Sequence, residues 1–267
     1  MAMENGTELT SKKRSLRRRG IYLLPNLFTT AALFAGFFSV VAAMDGNFQK
    51  AAVAIFVAMV MDGLDGRVAR LTHTESDFGK EYDSLSDMVS FGLAPALVAY
   101  QWGATVLLEY RWLWGRLGWL AAFFYAVCAA LRLARYNSRI DIADKRFFEG
   151  LPSPSGAALV AGTIWLASEY SLSGFWGFVI TFTVTAAAGA LMVSNFHYYS
   201  ARDINMKRHI PFPYLLLIPA FFMLVSVDPP VVLFSMFVGY GISGPVVTAW
   251  LKFGKGRDRE SGTRKAA

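Results

Sequence analysis

The chain has 267 residues, of which 55% are hydrophobic, 15% aromatic and 17% charged, with a formal net charge of +7. Soluble domains carry nearer ~25% charged residues, and here the apolar residues come in long uncharged blocks rather than in an amphipathic rhythm, which excludes an ordinary soluble domain. A single cysteine, Cys128, excludes a disulfide within the chain, and no nucleic-acid partner is expected.

In chain order, residues 1–20 form a polar, basic tail that is expected to be disordered. Ile21–Met44 follows without a charge. A bilayer core needs about 20 apolar residues in a helix, so this block reads as a first membrane span. It is longer than the roughly 7–15 apolar residues of a signal-peptide core, and no small-x-small cleavage site closes it, so a signal peptide is the weaker reading. Met88–Leu108 and Pro229–Leu251 are likewise uncharged. Phe48–Arg70, Leu117–Leu131, Ser155–Ser168, Phe175–Asn195 and Phe212–Val227 complete the set. The expected fold is an all-α integral membrane protein of about eight transmembrane helices. Its membrane domain spans 21–251, between the basic tails 1–20 and 252–267.

Charge placement gives a separate test of that count. Eight helices put both termini on one side, and an excess of Lys and Arg marks the cytoplasmic side. With both termini inside, only Lys50, Arg111 and Arg116 of the 26 Lys and Arg fall outside. The inner segments then hold six basic residues in each tail, together with Arg67, Arg70 and Lys80; Arg132, Arg135, Arg139, Lys145 and Arg146; and Arg202, Lys207 and Arg208. Seven helices would move one of the basic tails outside. His73, His197 and His209 show no metal-ligand spacing.

The acids carry the chemistry. Asp62 and Asp65 end the second apolar segment, and Asp83 and Asp87 precede the third. Charged groups at membrane depth are costly and usually functional. The second helix runs inward and the third outward, so both pairs meet at the cytoplasmic edge. Spacings of i,i+3 and i,i+4 place each pair on one helix face. Four clustered carboxylates repel unless cations neutralise them. Hard cations, Mg²⁺ or Mn²⁺, suit an all-oxygen site, and four acids suit two ions of the kind used in phosphoryl displacement. Gly66, Ala69 and Gly79 leave room for a ligand to reach the backbone, although small residues also serve helix packing in membranes. Arg70 suits phosphate recognition, or anchoring at the membrane edge.

The pattern Asp62-x-x-Asp65-Gly66-x-x-Ala69-Arg70, then eight residues, then Gly79-x-x-x-Asp83-x-x-x-Asp87 resembles the complete signature of the CDP-alcohol phosphotransferases. The resemblance implies that Asp62, Asp65 and Asp83 are metal ligands and that Asp87 is both ligand and general base. It implies that Gly66, Ala69, Arg70, Ser76 and Gly79 meet the CDP-lipid. The shorter Pro25-Asn26-x-x-Thr29 is similar to a second nucleotide-contacting segment, through Asn26 and Thr29. It also implies a six-helix family core with two helices added at the C-terminus, and a homodimer.

Within the family, Asp83–Pro95, Leu131–Asn137 and Gly150–Gly156 resemble the bacterial, membrane-spanning branch that uses serine. That likeness implies transfer of the phosphatidyl group from CDP-diacylglycerol to L-serine, with loss of CMP, at the cytoplasmic face of the bacterial inner membrane. Arg132 and Arg135, an i,i+3 pair, are expected to hold the lipid phosphate or the serine carboxylate. Choline, inositol phosphate or glycerol phosphate remain alternative acceptors. A transporter using intramembrane carboxylates is the alternative from another class.

Overall fold

The computed structural model describes residues 4–72, 74, 76–106, 112–139, 147–172, 174–199 and 212–264. Arg111, Lys145, Arg146, Arg202, Lys207, Arg208 and Lys265 of the charge argument, with His73 and His209, lie outside them.

A long helix, α1 (Glu4–Met44), turns back at Asp45–Asn47 into α2 (Phe48–Thr72). The turn is built by residue type. Gly46 takes a left-handed φ of 74°, the favoured end of a helix. Asn47 then caps α2, its Oδ1 accepting from the Lys50 amide at 3.2 Å. After a short connection, Ser76 caps α3 (Asp77–Asp87), accepting from the Gly79 amide at 3.0 Å. α3 runs through a π-helical turn, Met88–Leu93, into α4 (Ala94–Val106). α5 (Trp112–Arg139), α6 (Ser153–Glu169), α7 (Phe175–Val193), α8 (Phe212–Val227) and α9 (Pro229–Arg264) complete the bundle.

α6 is the central post. Its apolar and small residues are buried on all sides, as expected of a helix without a polar face, and it packs against α2, α4, α7 and α9. Peripheral helices instead present large apolar side chains outward, among them Phe34, Phe37, Trp119, Phe123, Phe222 and Met223. In water such a surface would aggregate; in a bilayer it is the lipid-facing side. Among the described residues, four helical stretches are long and apolar enough to cross a membrane: Leu24–Met44, Arg116–Ser138, Phe175–Val193 and Pro229–Trp250.

Each of the eight expected segments coincides with a helix. The remaining four fall short as single spans for physical reasons. α2 carries Lys50, Asp62, Asp65, Arg67 and Arg70. α4 is interrupted at its start by the π-turn, and α6 and α8 have 17 and 16 residues.

Two expectations need correction. The basic N-terminal tail is not irregular: α1 begins at Glu4 and runs on through Pro25 to Met44, the Glu, Lys and Arg of the tail being good helix formers. At the other end α9 continues to Arg264 rather than stopping near Leu251. The fold is all-α as expected, with one small addition among the described residues. A ribbon of β1 (Phe147–Glu149) and β2 (His197–Tyr199) pairs antiparallel, with Phe148 opposite Tyr198. It ties the entrance of α6 to the exit of α7. Tyr198 is fully buried and donates to the Gly241 carbonyl of α9 at 3.0 Å.

Candidate active site

Antiparallel succession brings the start of the spanning part of α1, the end of α2, α3, the end of α5 and the start of α6 to one end of the bundle. Direct hydrogen bonds stitch them together. The Ser86 hydroxyl donates to the Thr29 carbonyl at 3.1 Å, and the Asn137 amide to Ser84 Oγ at 2.9 Å. Arg132 Nη1 donates to Ser153 Oγ at 2.6 Å.

Asp62, Asp83 and Asp87 converge at this end, one carboxylate oxygen from each lying within 4.8 Å of the other two. They are half-buried. Asp87 closes α3, just before the expected third span. Burial, and then the charges of Asp62 and Asp83, push its carboxyl well above the usual carboxylate range; Arg132 pulls the other way. Such mutual repulsion marks a place where a proton or a cation belongs. Three hard oxygen donors gathered this closely fit a divalent cation.

Asp65 is not one of that trio. Its Oδ2 accepts from the Thr29 hydroxyl at 2.8 Å, and the residue is buried. Thr29 thus faces both acidic helices, holding Asp65 with its side chain and Ser86 with its carbonyl.

The other expected residues fall as follows. Around Gly66 nothing would meet an added Cβ within 4 Å, so the space beside Asp65 is open. Arg70 is exposed, while Ala69 is half-buried and its carbonyl accepts the Thr74 amide at 3.1 Å. Gly79 is crowded: a Cβ there would lie 3.1 Å from Ser76 Oγ and 3.5 Å from Asn26 Oδ1. Asn26, Ser76 and Gly79 are therefore neighbours. Arg132 and Arg135 diverge. Arg132 stands near Asp87, on Ser153 and 5.7 Å from the Tyr136 ring centroid. Arg135 instead donates to Asn195 Oδ1 at 3.3 Å, beyond the end of α7.

Sequence reading had no signal for Thr29 as the partner of Asp65, or for Ser153 as that of Arg132, because both contacts join residues far apart in the chain. His197 sits in β2, where its amide donates to Thr248 Oγ1 at 2.9 Å.

Comparison with known proteins matches residues 22–193 to the CDP-alcohol phosphatidyltransferase family. A Helicobacter pylori protein named CDP-diacylglycerol–serine O-phosphatidyltransferase is 38% identical over 234 residues, 83% of this chain and 90% of its own length. A Mycobacterium leprae protein of the same name is 32% identical over 87% of this chain and 76% of its own. An archaetidylserine synthase of Methanothermobacter thermautotrophicus is 32% identical over 66% of this chain and 69% of its own length.

Proposed function

The chain belongs to the CDP-alcohol phosphatidyltransferase family, and on that premise we propose that it transfers the phosphatidyl group of CDP-diacylglycerol to the hydroxyl of L-serine, giving phosphatidylserine and CMP. The observation that carries the reading is the convergence of Asp62, Asp83 and Asp87 beside Arg132, in a chain whose relatives over most of their length are serine-using synthases.

A new oxygen–phosphorus bond forms from the serine hydroxyl to the lipid-side phosphorus, and the bond from that phosphorus to the CMP oxygen breaks. The hydroxyl proton passes to Asp87. Asp62, Asp83 and Asp87 would hold a divalent cation, with Asp65 completing the set for a second. Such cations, when bound, neutralise pyrophosphate charge and that of the departing CMP.

The chain's own groups do the rest. Gly66 leaves space for the nucleotide to lie along α2. Arg70, exposed, is available to phosphate, and the neighbouring Asn26, Ser76 and Gly79 are assigned to the same CDP-lipid. Arg132, fixed by Ser153, offers a guanidinium near the base. Guanidinium makes bidentate contacts with planar oxyanions, so the serine carboxylate is its natural partner. Choline has no carboxylate and is better held by aromatic faces.

We place eight spans in a bacterial inner membrane, with both termini and the site cytoplasmic: a family core over α1–α7 extended by α8 and α9, in a homodimer. The tails 1–20 and 252–267 flank the membrane domain 21–251. At the bilayer edge the acyl chains stay in lipid while serine arrives from water.

A competition assay tests the function. Purified protein with CDP-diacylglycerol and Mn²⁺ or Mg²⁺ is offered serine, choline, inositol phosphate and glycerol phosphate separately, following CMP and lipid product. Serine is expected to react fastest by a wide margin. A faster product from another alcohol would replace the acceptor and keep the family chemistry; no CMP from any would defeat the enzymatic reading.

A further inference from the structure

We propose that the π-turn at Met88–Leu93, braced by the Tyr125 hydroxyl, is the device that turns Asp83 and Asp87 toward Asp62. This rests on the reading of those acids as a cation site.

The cause lies in the sequence. In an α-helix the Phe91 carbonyl would accept from the amide four residues on, but that residue is Pro95, which has no N–H and whose ring crowds the carbonyl. The backbone widens instead. At the end of the turn the Ala94 amide donates to the Val89 carbonyl, five residues back. The Phe91 carbonyl takes its bond from elsewhere: Tyr125 Oη of α5 donates to it at 2.9 Å. Phe91 and Tyr125 are both fully buried, so water cannot substitute for that hydroxyl.

A wide turn accommodates about one extra residue, which rotates everything before it by about 100° relative to everything after it. The part after it is anchored, since Ala96, Val98, Ala99 and Trp102 of α4 are buried in the core. The part before it carries Asp83 and Asp87. With α4 held by the core, a continuous α-helix would swing both carboxylates about a quarter-turn away from α2. The carboxylate cluster thus depends on a residue, Pro95, that is two helical turns from Asp87.

α1 braces the opposite side. Ser90 Oγ donates to the Ala32 carbonyl at 3.1 Å. A Cβ on Gly36 would stand 2.8 Å from Ser90 Cα, so only glycine lets the two backbones approach this closely. Tyr125 and Pro95 are positioning residues; they act on the acids through the backbone between them.

The test uses the purified full chain and Mn²⁺, with bound ion read by electron paramagnetic resonance and folding by thermal unfolding. Wild type is expected to bind. Tyr125→Phe, which removes one oxygen and keeps the ring, is expected to raise the half-saturating Mn²⁺ about tenfold, as loss of an outer support for metal ligands does. Pro95→Ala restores the missing amide; it is expected to weaken Mn²⁺ binding at least as much while unfolding at or above the wild-type temperature. That combination is not produced by mere structural damage. If both variants bind Mn²⁺ as wild type does, the inference is wrong. It is equally wrong if Tyr125→Phe loses sites only in proportion to its unfolded fraction and Pro95→Ala binds normally. A wild type that binds no Mn²⁺ overturns the cation-site reading, and this inference with it.

Discussion

At the scale of single residues, the four aspartates of the signature have unlike surroundings. Asp62, Asp83 and Asp87 share one small space, whereas Asp65 is held by Thr29. Asp62→Asn and Asp83→Asn are each expected to cut metal-activated turnover by about a hundredfold or more, the scale on which electrostatic groups contribute to such steps; initial rates against Mn²⁺ concentration check this. If Asp87 is chiefly the base, Asp87→Asn keeps CDP-diacylglycerol binding and loses turnover; if chiefly a ligand, it loses both. Thr29→Val keeps the shape and removes the hydroxyl. A buried acceptor left without its donor costs about 1–3 kcal/mol, so Thr29→Val should unfold measurably earlier than wild type. Gly66 offers a sharper separation of stability from function. Nothing lies within 4 Å of an added Cβ, and alanine favours helix by about 1 kcal/mol over glycine. Gly66→Ala should therefore be at least as stable as wild type and yet turn over more slowly if, as proposed, the nucleotide uses that space. Undiminished turnover would remove Gly66 from the nucleotide path.

At the scale of elements, the connection from α5 into α6 shows how a loop places a side chain. Gly150 has a φ of 82°, a left-handed conformation that costs other residues roughly 1–2 kcal/mol. A Cβ there would also lie 2.2 Å from the Met192 carbonyl oxygen. The glycine lets the ribbon close, its amide donating to the Phe196 carbonyl at 2.9 Å, and α6 then starts with Ser153 against Arg132. Gly150→Ala is expected to lower the unfolding temperature and to raise the serine concentration needed for half-maximal rate, since Arg132 loses its fixed partner. A normal serine dependence in a folded Gly150→Ala protein would detach Arg132 from the acceptor.

At the scale of the whole molecule, the prediction is orientation. Placing both termini inside leaves only Lys50, Arg111 and Arg116 outside. Native Cys128 is buried, so cysteines introduced before Leu23 and after Trp250 can be labelled against little background. Both should react from the cytoplasmic side alone. Labelling from opposite sides would break the eight-helix arrangement while leaving the acidic site intact.

Much of this protein is legible in one dimension, because the bilayer and the helix impose short, regular rules. Uncharged runs near 20 residues mark helices, and Asp62, Asp65, Asp83 and Asp87 declare themselves by i,i+3 and i,i+4 spacing on polar ends of apolar segments. The positions of all eight helical segments and the meeting of Asp62 with Asp83 and Asp87 followed from local pattern alone. What local pattern could not contain was anything set by residues distant in the chain. That Asp65 turns to Thr29, that Arg132 rests on Ser153 while Arg135 reaches Asn195, and that β1 finds β2 across two helices all depend on how helices pack. The π-turn lies between these cases. Pro95 announces a break in one dimension, but only the packed core of α4 and the Tyr125 hydroxyl convert that break into a rotation that faces Asp83 and Asp87 toward Asp62. Local sequence dictates which backbone bonds can form; tertiary packing decides where the side chains point once they have.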